Sequence, residues 1–389
     1  MATTAAETGF DLALTDEQAM TQRAAREFAT EKILPRAAEI DEQAKIPPEI
    51  LREMAALGFM GTYVPERYGG AGLDTVSNVL IIEEINRACA STGVALCTHI
   101  SLAVDPILRH GSDAQKEKYL PRLARGERLG CFALSEPAAG SDAAAMRTTA
   151  RRDGDAWILN GTKNFITNGS VASLAIVFAQ TDASLKHKGI AAFIVEKETP
   201  GFSVGKLERK LGIRGSDTAQ LIFQNARVPA ANLLGEVGQG FKIALSTLDG
   251  GRISIAAQAV GIARACLEDS LAYAKQREAF GKKVADFQAI QWMLADMATE
   301  IDAARLLTWR AAALKDAGED HVLAAAEAKL FASDVAVKAS RDCVQIFGGY
   351  GYLKDFPAER HYRDAKITET YEGTSEIMKL VIAEEILKE

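Results

Sequence analysis

Cysteine and histidine are scarce in this chain, five of each among 389 residues. Cys89, Cys97, Cys131, Cys266 and Cys343 form no C-x-x-C pair, and an odd, scattered set argues against a disulfide framework or a structural zinc site. Free, mostly buried thiols in a reducing compartment are the expectation. No H-E-x-x-H or comparable spacing occurs, so no metal is expected. No G-x-G-x-x-G follows a strand-like run and no G-x-x-x-x-G-K-[ST] is present, which disfavours a Rossmann fold and a P-loop. A dinucleotide would have to be held otherwise, by a sheet face, helix ends and side chains. Apolar runs such as 174–179 and 190–195 are too short to cross a bilayer, so no membrane span is expected. The opening MATTAAETGFDLAL lacks both a basic segment leading into an apolar run and an Arg-rich character. The expected location is therefore the cytoplasm, or an organelle matrix if a leader has been removed. Basic residues are outnumbered, 45 Lys and Arg against 52 Asp and Glu. A net charge of −7 gives no general attraction for nucleic acid, although a local basic patch can still hold an anionic ligand.

What is present falls into three stretches, an α+β multidomain pattern. Residues 1–127 read as helical. Thr15 with Gln18 resembles a capping box opening a helix at Asp16, Pro35 should start or kink a helix, and Pro47-Pro48 mark a boundary. Residues 128–238 change to short β-branched and aromatic runs separated by turn pairs. Asp153-Gly154 and Asn160-Gly161 both read as hairpin turns, and the spacing argues for an antiparallel sheet or small barrel. Residues 239–389 are helical again. Phe287, Ile290, Leu294, Met297 and Ile301 form one apolar face, the seam of a four-helix bundle.

Five blocks stand out. Each has a bland reading beside the functional one. Cys131–Asp142 (CFALSEPAAGSD) runs from a strand into a small-residue loop; such a loop lets backbone NH groups approach a bulky ligand, or is simply a surface turn. In Gly161–Asn168 (GTKNFITN) an aromatic beside a hydroxyl can stack on a ring and bond its edge, or be buried core. Arg277-Glu278-Ala279-Phe280-Gly281, with Gln288 beyond, offers a guanidinium fork for phosphate or a solvated salt bridge. Gln345-Ile346-Phe347-Gly348-Gly349 is a helix end, or backbone close to a ligand. Thr370–Glu376 (TYEGTSE) puts a carboxylate in a turn before a helix N-terminus, with Thr374 or Ser375 as the cap; Glu372 either acts there or decorates a loop.

Together, in this order and over nearly the whole length, the blocks resemble the acyl-CoA dehydrogenase family. LGIRGSDTAQLIF, LLTWRAAALKD and PAERHYRDAKITETYEGTSEI look most like its short-chain, butyryl-type branch. The resemblance implies a helical N-terminal domain, a β-barrel-like middle domain and a C-terminal four-helix bundle. It also implies non-covalent FAD, a homotetramer, and electron transfer to an electron-transfer flavoprotein. Carried over by motif, Phe132, Leu134, Ser135, Gly140 and Ser141 would line the flavin, with Ser141 facing the CoA portion of the substrate. Phe165, Ile166 and Thr167 would hold the isoalloxazine; many relatives have Trp where this chain has Phe165, which removes an indole NH. Arg277, Phe280, Gln288 and the run Gln345, Ile346, Gly348, Gly349 would reach the FAD of a neighbouring subunit. Thr374 and Glu376 would contact the ribose or adenine end of FAD. Asp249 and Arg252 would lie along the CoA moiety, Arg252 as its anchor, with Tyr371 and Gly373 also at the substrate.

The implied base is Glu372. A branch resembling isovaleryl-CoA dehydrogenase takes its base from the residue before the equivalent of Arg252, and here that residue is Gly251, which has no side chain. Glu372 would take the α-proton of an acyl-CoA thioester while the β-hydrogen leaves as hydride. Burial beside an apolar chain should raise its pKa towards neutrality. Butyryl-CoA is the expected substrate, with 2-methyl-branched or medium chains next. A glutaryl chain would need a cation, and the stretch CASTGVALCTHISL offers only His99. An acyl-CoA oxidase, or a non-catalytic scaffold of the same fold, are the alternatives.

Overall fold

The computed structural model describes residues 13–388. The first stretch holds α1 (Asp16–Phe28), α2 (Ala37–Gln43), α3 (Pro48–Ala56), α4 (Thr75–Ala88), α5 (Ala90–Cys97), α6 (Asp105–His110) and α7 (Asp113–Ala124). The strands follow: β1 (Gly130–Ala133), β2 (Thr149–Asp153), β3 (Ala156–Thr167), β4 (Leu174–Gln180), β5 (Ile190–Glu196), β6 (Phe202–Leu207), β7 (Thr218–Pro229) and β8 (Leu233–Leu234). The last stretch holds α8 (Gly240–Gln276), a small hairpin of β9 (Glu278–Ala279) and β10 (Lys282–Lys283), α9 (Gln288–Asp316), α10 (Val322–Phe347), α11 (Ala358–Ala365) and α12 (Ser375–Ile386). The helical, β, helical order is the expected one.

Local signals acted where chemistry required. Thr15 accepts from the Gln18 amide at 3.2 Å and its own amide donates to the Gln18 side chain at 3.0 Å, closing the capping box of α1. Pro35 sits in a tight turn between α1 and α2. Thr374, not Ser375, caps α12, accepting from the Ile377 amide.

One expectation about apolar runs is corrected. α5 continues through a widened turn, Thr98–Val104, into α6. The resulting 21-residue helix, Ala90–His110, is long and apolar enough to cross a membrane by length and composition, and 94% of its apolar window is buried inside the molecule. Some of its polar groups are paired within the core. Ser101 shares a hydrogen bond with Ser254 of α8. His99 bridges the Leu123 carbonyl through Nε2 and the Gly130 amide through Nδ1.

The sheet runs β6-β7-β3-β2-β4-β5-β8. Most neighbours are antiparallel, but β1 lies parallel to β4 and β2 touches β4 in a parallel bridge at Thr149 and Gln180. β4 is buried along its whole length. Leu174, Ile176 and Phe178 face the helical layer with Leu102, Leu120 and Ile243, whereas Ala175, Val177 and Ala179 face the interior with Leu159, Leu221 and Phe223. A strand covered on both faces reads as a continuous apolar run, as this one does. Asp153-Gly154 lies in the β2–β3 turn as expected. Asn160-Gly161 does not form a turn. It lies inside β3 at a register shift opposite β7, and a Cβ at Gly161 would stand 2.4 Å from Thr148 Oγ1. The glycine serves close packing at a bulge rather than chain reversal.

In the last stretch α8, α9 and α10 pack on one another and α12 lies on α10. Met297 and Ile301 of the expected α9 seam are buried, with Ile290 and Leu294 packed against the same core. The five cysteines are free and buried.

Candidate active site

Glu372 lies in the turn between α11 and α12. Its backbone is left-handed, φ 52°, and Gly373 follows at φ 99°. Such a conformation in a non-glycine residue is uncommon and marks a place that its surroundings hold fixed. The carboxylate is folded inward over α8. A Cβ built at Gly251 would stand 2.1 Å from Glu372 Oε2 and 2.9 Å from Leu102 Cδ2. Gly251 is therefore the floor on which the carboxylate rests, and Leu102 supplies an apolar wall. Oε2 is enclosed and has no hydrogen-bond partner among the described residues. Burial raises this carboxyl to about 7, with Lys329 and Arg252 pulling in the opposite direction. A carboxylate short of partners near neutrality is equipped to take a proton.

The surroundings are tied down. The Tyr371 hydroxyl donates to Gln258 of α8. Lys329 of α10, fully buried, donates to the Gly373 carbonyl at 2.6 Å. Arg252 is 5% exposed and pairs with Asp249 at 2.7 Å. It is thus an interior residue, and its charge acts on Glu372. Its Nε has no partner among the described residues. Asp249 also borders a cavity of about 560 Å³ with His187, Lys188, Phe241, Lys242 and Ser246.

The two sheet blocks meet through a buried ion pair. Lys163 Nζ lies 2.8 Å from Glu136 Oε1 and 3.0 Å from the Leu134 carbonyl. Glu136 further accepts from the Arg147 and Thr148 amides. The loop after β1 is therefore bolted to β3, and the Asn164 amide donates to the Ser135 carbonyl. Side chains in these blocks divide sharply. Phe132 packs on Phe178 at 4.9 Å and Leu134 is in the same core, so their side chains do not line an open site. Ile166 likewise points into the sheet interior. Ser135 and Thr167 are half-buried, while Gly140 and Ser141 are exposed. Phe165 stands at a register shift of β3 with φ 59° and is 63% exposed. An aromatic held outward by a strained bulge is the one exposed side chain of its block, with Thr167 half-buried beside it.

Arg277 and the end of α10 also come together. A cavity of about 500 Å³ is lined by Arg277, Ile346, Gly348, Gly349, Tyr273 and Tyr350, with the guanidinium 5.4 Å over the Tyr350 ring. Phe280, 96% exposed, tips the β9–β10 hairpin beside it. Gln288, Gln345 and Glu376 are exposed, and Thr374 is half-buried and engaged as a cap.

Three models of one family cover this chain: acyl-CoA dehydrogenase N-terminal domain over residues 15–127, middle domain over 131–226 and C-terminal domain over 238–387. The chain belongs to the acyl-CoA dehydrogenase family. It is 52% identical over 375 residues to the short-chain specific acyl-CoA dehydrogenase, mitochondrial, of Bos taurus, covering 96% of this chain and 91% of that one. Among solved structures it is similar to the butyryl-CoA dehydrogenase of Megasphaera elsdenii, with a TM-score of 0.95, 47% identity and coverage of 97% and 100%. It is also similar to a chain in a structure of the electron transferring flavoprotein of Acidaminococcus fermentans, TM-score 0.96, 49% identity, coverage 97% and 100%. A glutaryl-CoA dehydrogenase of Mycobacterium smegmatis in complex with FADH2 matches with a TM-score of 0.92 and 36% identity over 97% and 96% of the chains.

Motif reading had overlooked several residues of this acyl-CoA dehydrogenase site. Lys329 and Lys163 are the plainest. Each is a lysine at a position where its own helix or strand otherwise presents small or apolar residues, and that break in pattern was the available signal. His99 is a different case. Both its ring nitrogens are occupied by backbone, and burial lowers it to about 4, so it is a neutral strut and not a cation for a distal carboxylate.

Proposed function

We propose that this acyl-CoA dehydrogenase removes the α-proton and β-hydrogen of a short-chain acyl-CoA, butyryl-CoA first, to give the trans-2-enoyl-CoA, with Glu372 as base. One observation carries the reading: the Glu372 oxygen Oε2 is enclosed over Gly251 and unpartnered among the described residues, and the carboxyl is raised to about 7. Gly251 has no side chain to serve as an alternative base. The thioester α-carbon would lie against Oε2, and the Leu102 wall excludes water from the proton transfer. Backbone NH groups of the 372–373 turn are suited to the developing enolate oxygen, since fixed donors stabilise charge that appears only in the transition state.

The residues present fit FAD. The exposed ring of Phe165, the half-buried hydroxyl of Thr167, the amide-rich loop 135–141 and the arginine cavity at Arg277 supply a ring shield, polar edges and a cationic end. Phe132, Leu134 and Ile166 would contribute backbone only. When bound, FAD supplies the acceptor for the β-hydrogen as hydride. A homotetramer is part of the proposal, supported by the exposed Phe280, Gln288 and Gln345 around the Arg277 cavity, which would meet the FAD of a neighbouring subunit. Thr374 and Glu376 fit its ribose or adenine end. The same proposal assigns Ser141, Tyr371 and Gly373 to the substrate, and Asp249, at the edge of the 560 Å³ cavity, to the CoA chain. An electron-transfer flavoprotein is the proposed acceptor, and the five buried free cysteines suit a reducing compartment, the cytoplasm or an organelle matrix.

The test is anaerobic. The purified yellow protein should bleach on adding butyryl-CoA, and Glu372→Gln should keep its flavin and bind acyl-CoA while losing about 10³-fold or more in turnover. Near-normal turnover in that variant rejects the base, and peroxide formation in place of dye reduction would make the protein an oxidase.

A further inference from the structure

A buried lysine faces the base from α10. Lys329 is 0% exposed, and among the described residues the only hydrogen bond of its ammonium is the 2.6 Å contact to the Gly373 carbonyl. That carbonyl belongs to the residue after Glu372, in the segment where φ is 52° and then 99°. An ammonium placed in the interior without a carboxylate in direct contact is costly, and a protein keeps one only where its charge or its hydrogen bond is needed. A plain structural clip does not require a cation, because a neutral donor would hold a carbonyl as well.

We propose that Lys329 is the positioning residue of the Glu372 base: its ammonium clamps the left-handed 372–373 turn that lays the carboxylate over Gly251, and its positive field keeps that carboxylate ionised for proton abstraction. The inference rests on Glu372 being the base. The charges around the pair come from three helices and the turn itself. Arg252 of α8, itself paired with Asp249, adds to the field on Glu372. Glu369 and Asp334 act on Lys329, and the Cys97 thiol and Tyr371 hydroxyl border the carboxylate as neutral groups pushed upward by burial. Lys329 and Glu372 also act on each other. Burial lowers Lys329 to about 8 while Glu372 raises it.

The decisive variants are Lys329→Met, which keeps length without charge, and Lys329→Arg, which keeps charge. Removing a cation beside a carboxylate raises the carboxylate's pKa. In Lys329→Met holoenzyme the acid limb of the kcat/KM profile should move up by about one pH unit, and kcat should fall about tenfold or more with a much smaller change in KM. Lys329→Arg should bring the limb back towards the wild-type position. An independent readout is the infrared carboxyl band assigned to Glu372 by difference from Glu372→Gln; its titration should move up in Lys329→Met. A folded Lys329→Met protein whose carboxyl titrates as in wild type overturns the proposal. If that variant does not fold, the reciprocal measurement decides. In Glu372→Gln the 13C-lysine signal titrating near 8 should move lower, and an unmoved signal overturns the proposal just as well. Wild-type protein inactive on every acyl-CoA would instead sink the proposed activity, and the two titrations would still report on the clamp.

Discussion

A single missing methyl group defines the base. At Gly251 a Cβ would meet the Glu372 carboxylate at 2.1 Å, and the atom it meets is the far end of a flexible side chain. The fold can therefore accept Gly251→Ala by letting the carboxylate swing away, whereas the chemistry cannot. We expect that variant to unfold within about 1 kcal/mol of wild type and to lose roughly 10²-fold in kcat, because a displacement of an ångström is enough to spoil a proton transfer. Urea denaturation alongside steady-state kinetics checks the split; a large stability loss with normal kcat would refute it. The same residue has a pH signature. Its folded pKa, about 7, lies above the ordinary 4.5 because burial penalises the charged form. Folding thus favours the protonated carboxyl, and that stabilisation, full below 4.5, is lost as pH rises through 7. At about 1.4 kcal/mol for each pH unit between the two values, the ionised carboxylate costs the fold up to about 3 kcal/mol at pH 8. Glu372→Gln should therefore be more stable than wild type at pH 8 and not at pH 4.5, while kcat/KM of the wild type should rise with pH to a plateau above about 7. Equal stability of the two proteins at both pH values would refute the buried-carboxylate reading.

At the scale of elements, the loop after β1 depends on β3. Lys163 and Glu136 form a pair that is almost wholly enclosed, and Glu136 also fixes the Arg147 and Thr148 amides. Breaking such a pair from one side strands a buried charge. Lys163→Met should cost about 3–5 kcal/mol, and pairing it with Glu136→Gln should restore part of that. Flavin content of the purified variants should follow the same order, since the loop carrying Ser135 and Gly140 loses its anchor. Flavin retained in full by Lys163→Met would detach this pair from the cofactor site. These elements also show what was legible beforehand. The capping box at Thr15, the α9 seam and the β2–β3 turn are short-range patterns, and each appears where the sequence placed it. Asn160-Gly161 misled because the same dipeptide serves a bulge as well as a turn, and only the Thr148 side chain packed against it tells the two apart. Phe132, Leu134 and Ile166 were named for a ligand by motif, yet their side chains pack into the core, because β1 and the residue after it are covered on both faces and Ile166 faces the sheet interior. Glu372 was legible because its motif is long and specific. Lys329 was not, because its partner lies 44 positions away and only the packing of α10 on the 372 turn brings them together.

Across the whole molecule, the first and last helical stretches are joined by charge as well as by apolar packing. Glu83 and Glu84 of α4 are 1% and 0% exposed. Arg264 of α8 reaches both, at 2.9 and 2.8 Å. Arg305 of α9 holds Glu83 at 3.0 Å, and Arg87 holds Glu84 at 3.2 Å. Glu268 closes the set through Arg87 and Arg264, and Arg26 of α1 caps it from outside. This cluster lies where α1, α4, α8 and α9 meet, so α8, which carries Gly251 beneath the carboxylate, cannot shift independently of the other three. Arg264→Met would leave two carboxylates underpaired inside, a loss of about 3–5 kcal/mol. The loss should depend on pH. Glu84 sits at about 7, raised by burial and by its neighbour Glu83, so near pH 6 it can take up a proton and relieve the stranded charge. As pH rises through 7 that relief disappears, and the deficit of the variant relative to wild type should widen. Urea midpoints at pH 6 and pH 8 measure it directly: a deficit larger at pH 8 supports a cluster that is ionised when the protein works, and a deficit independent of pH would mean that Arg264 acts through packing alone.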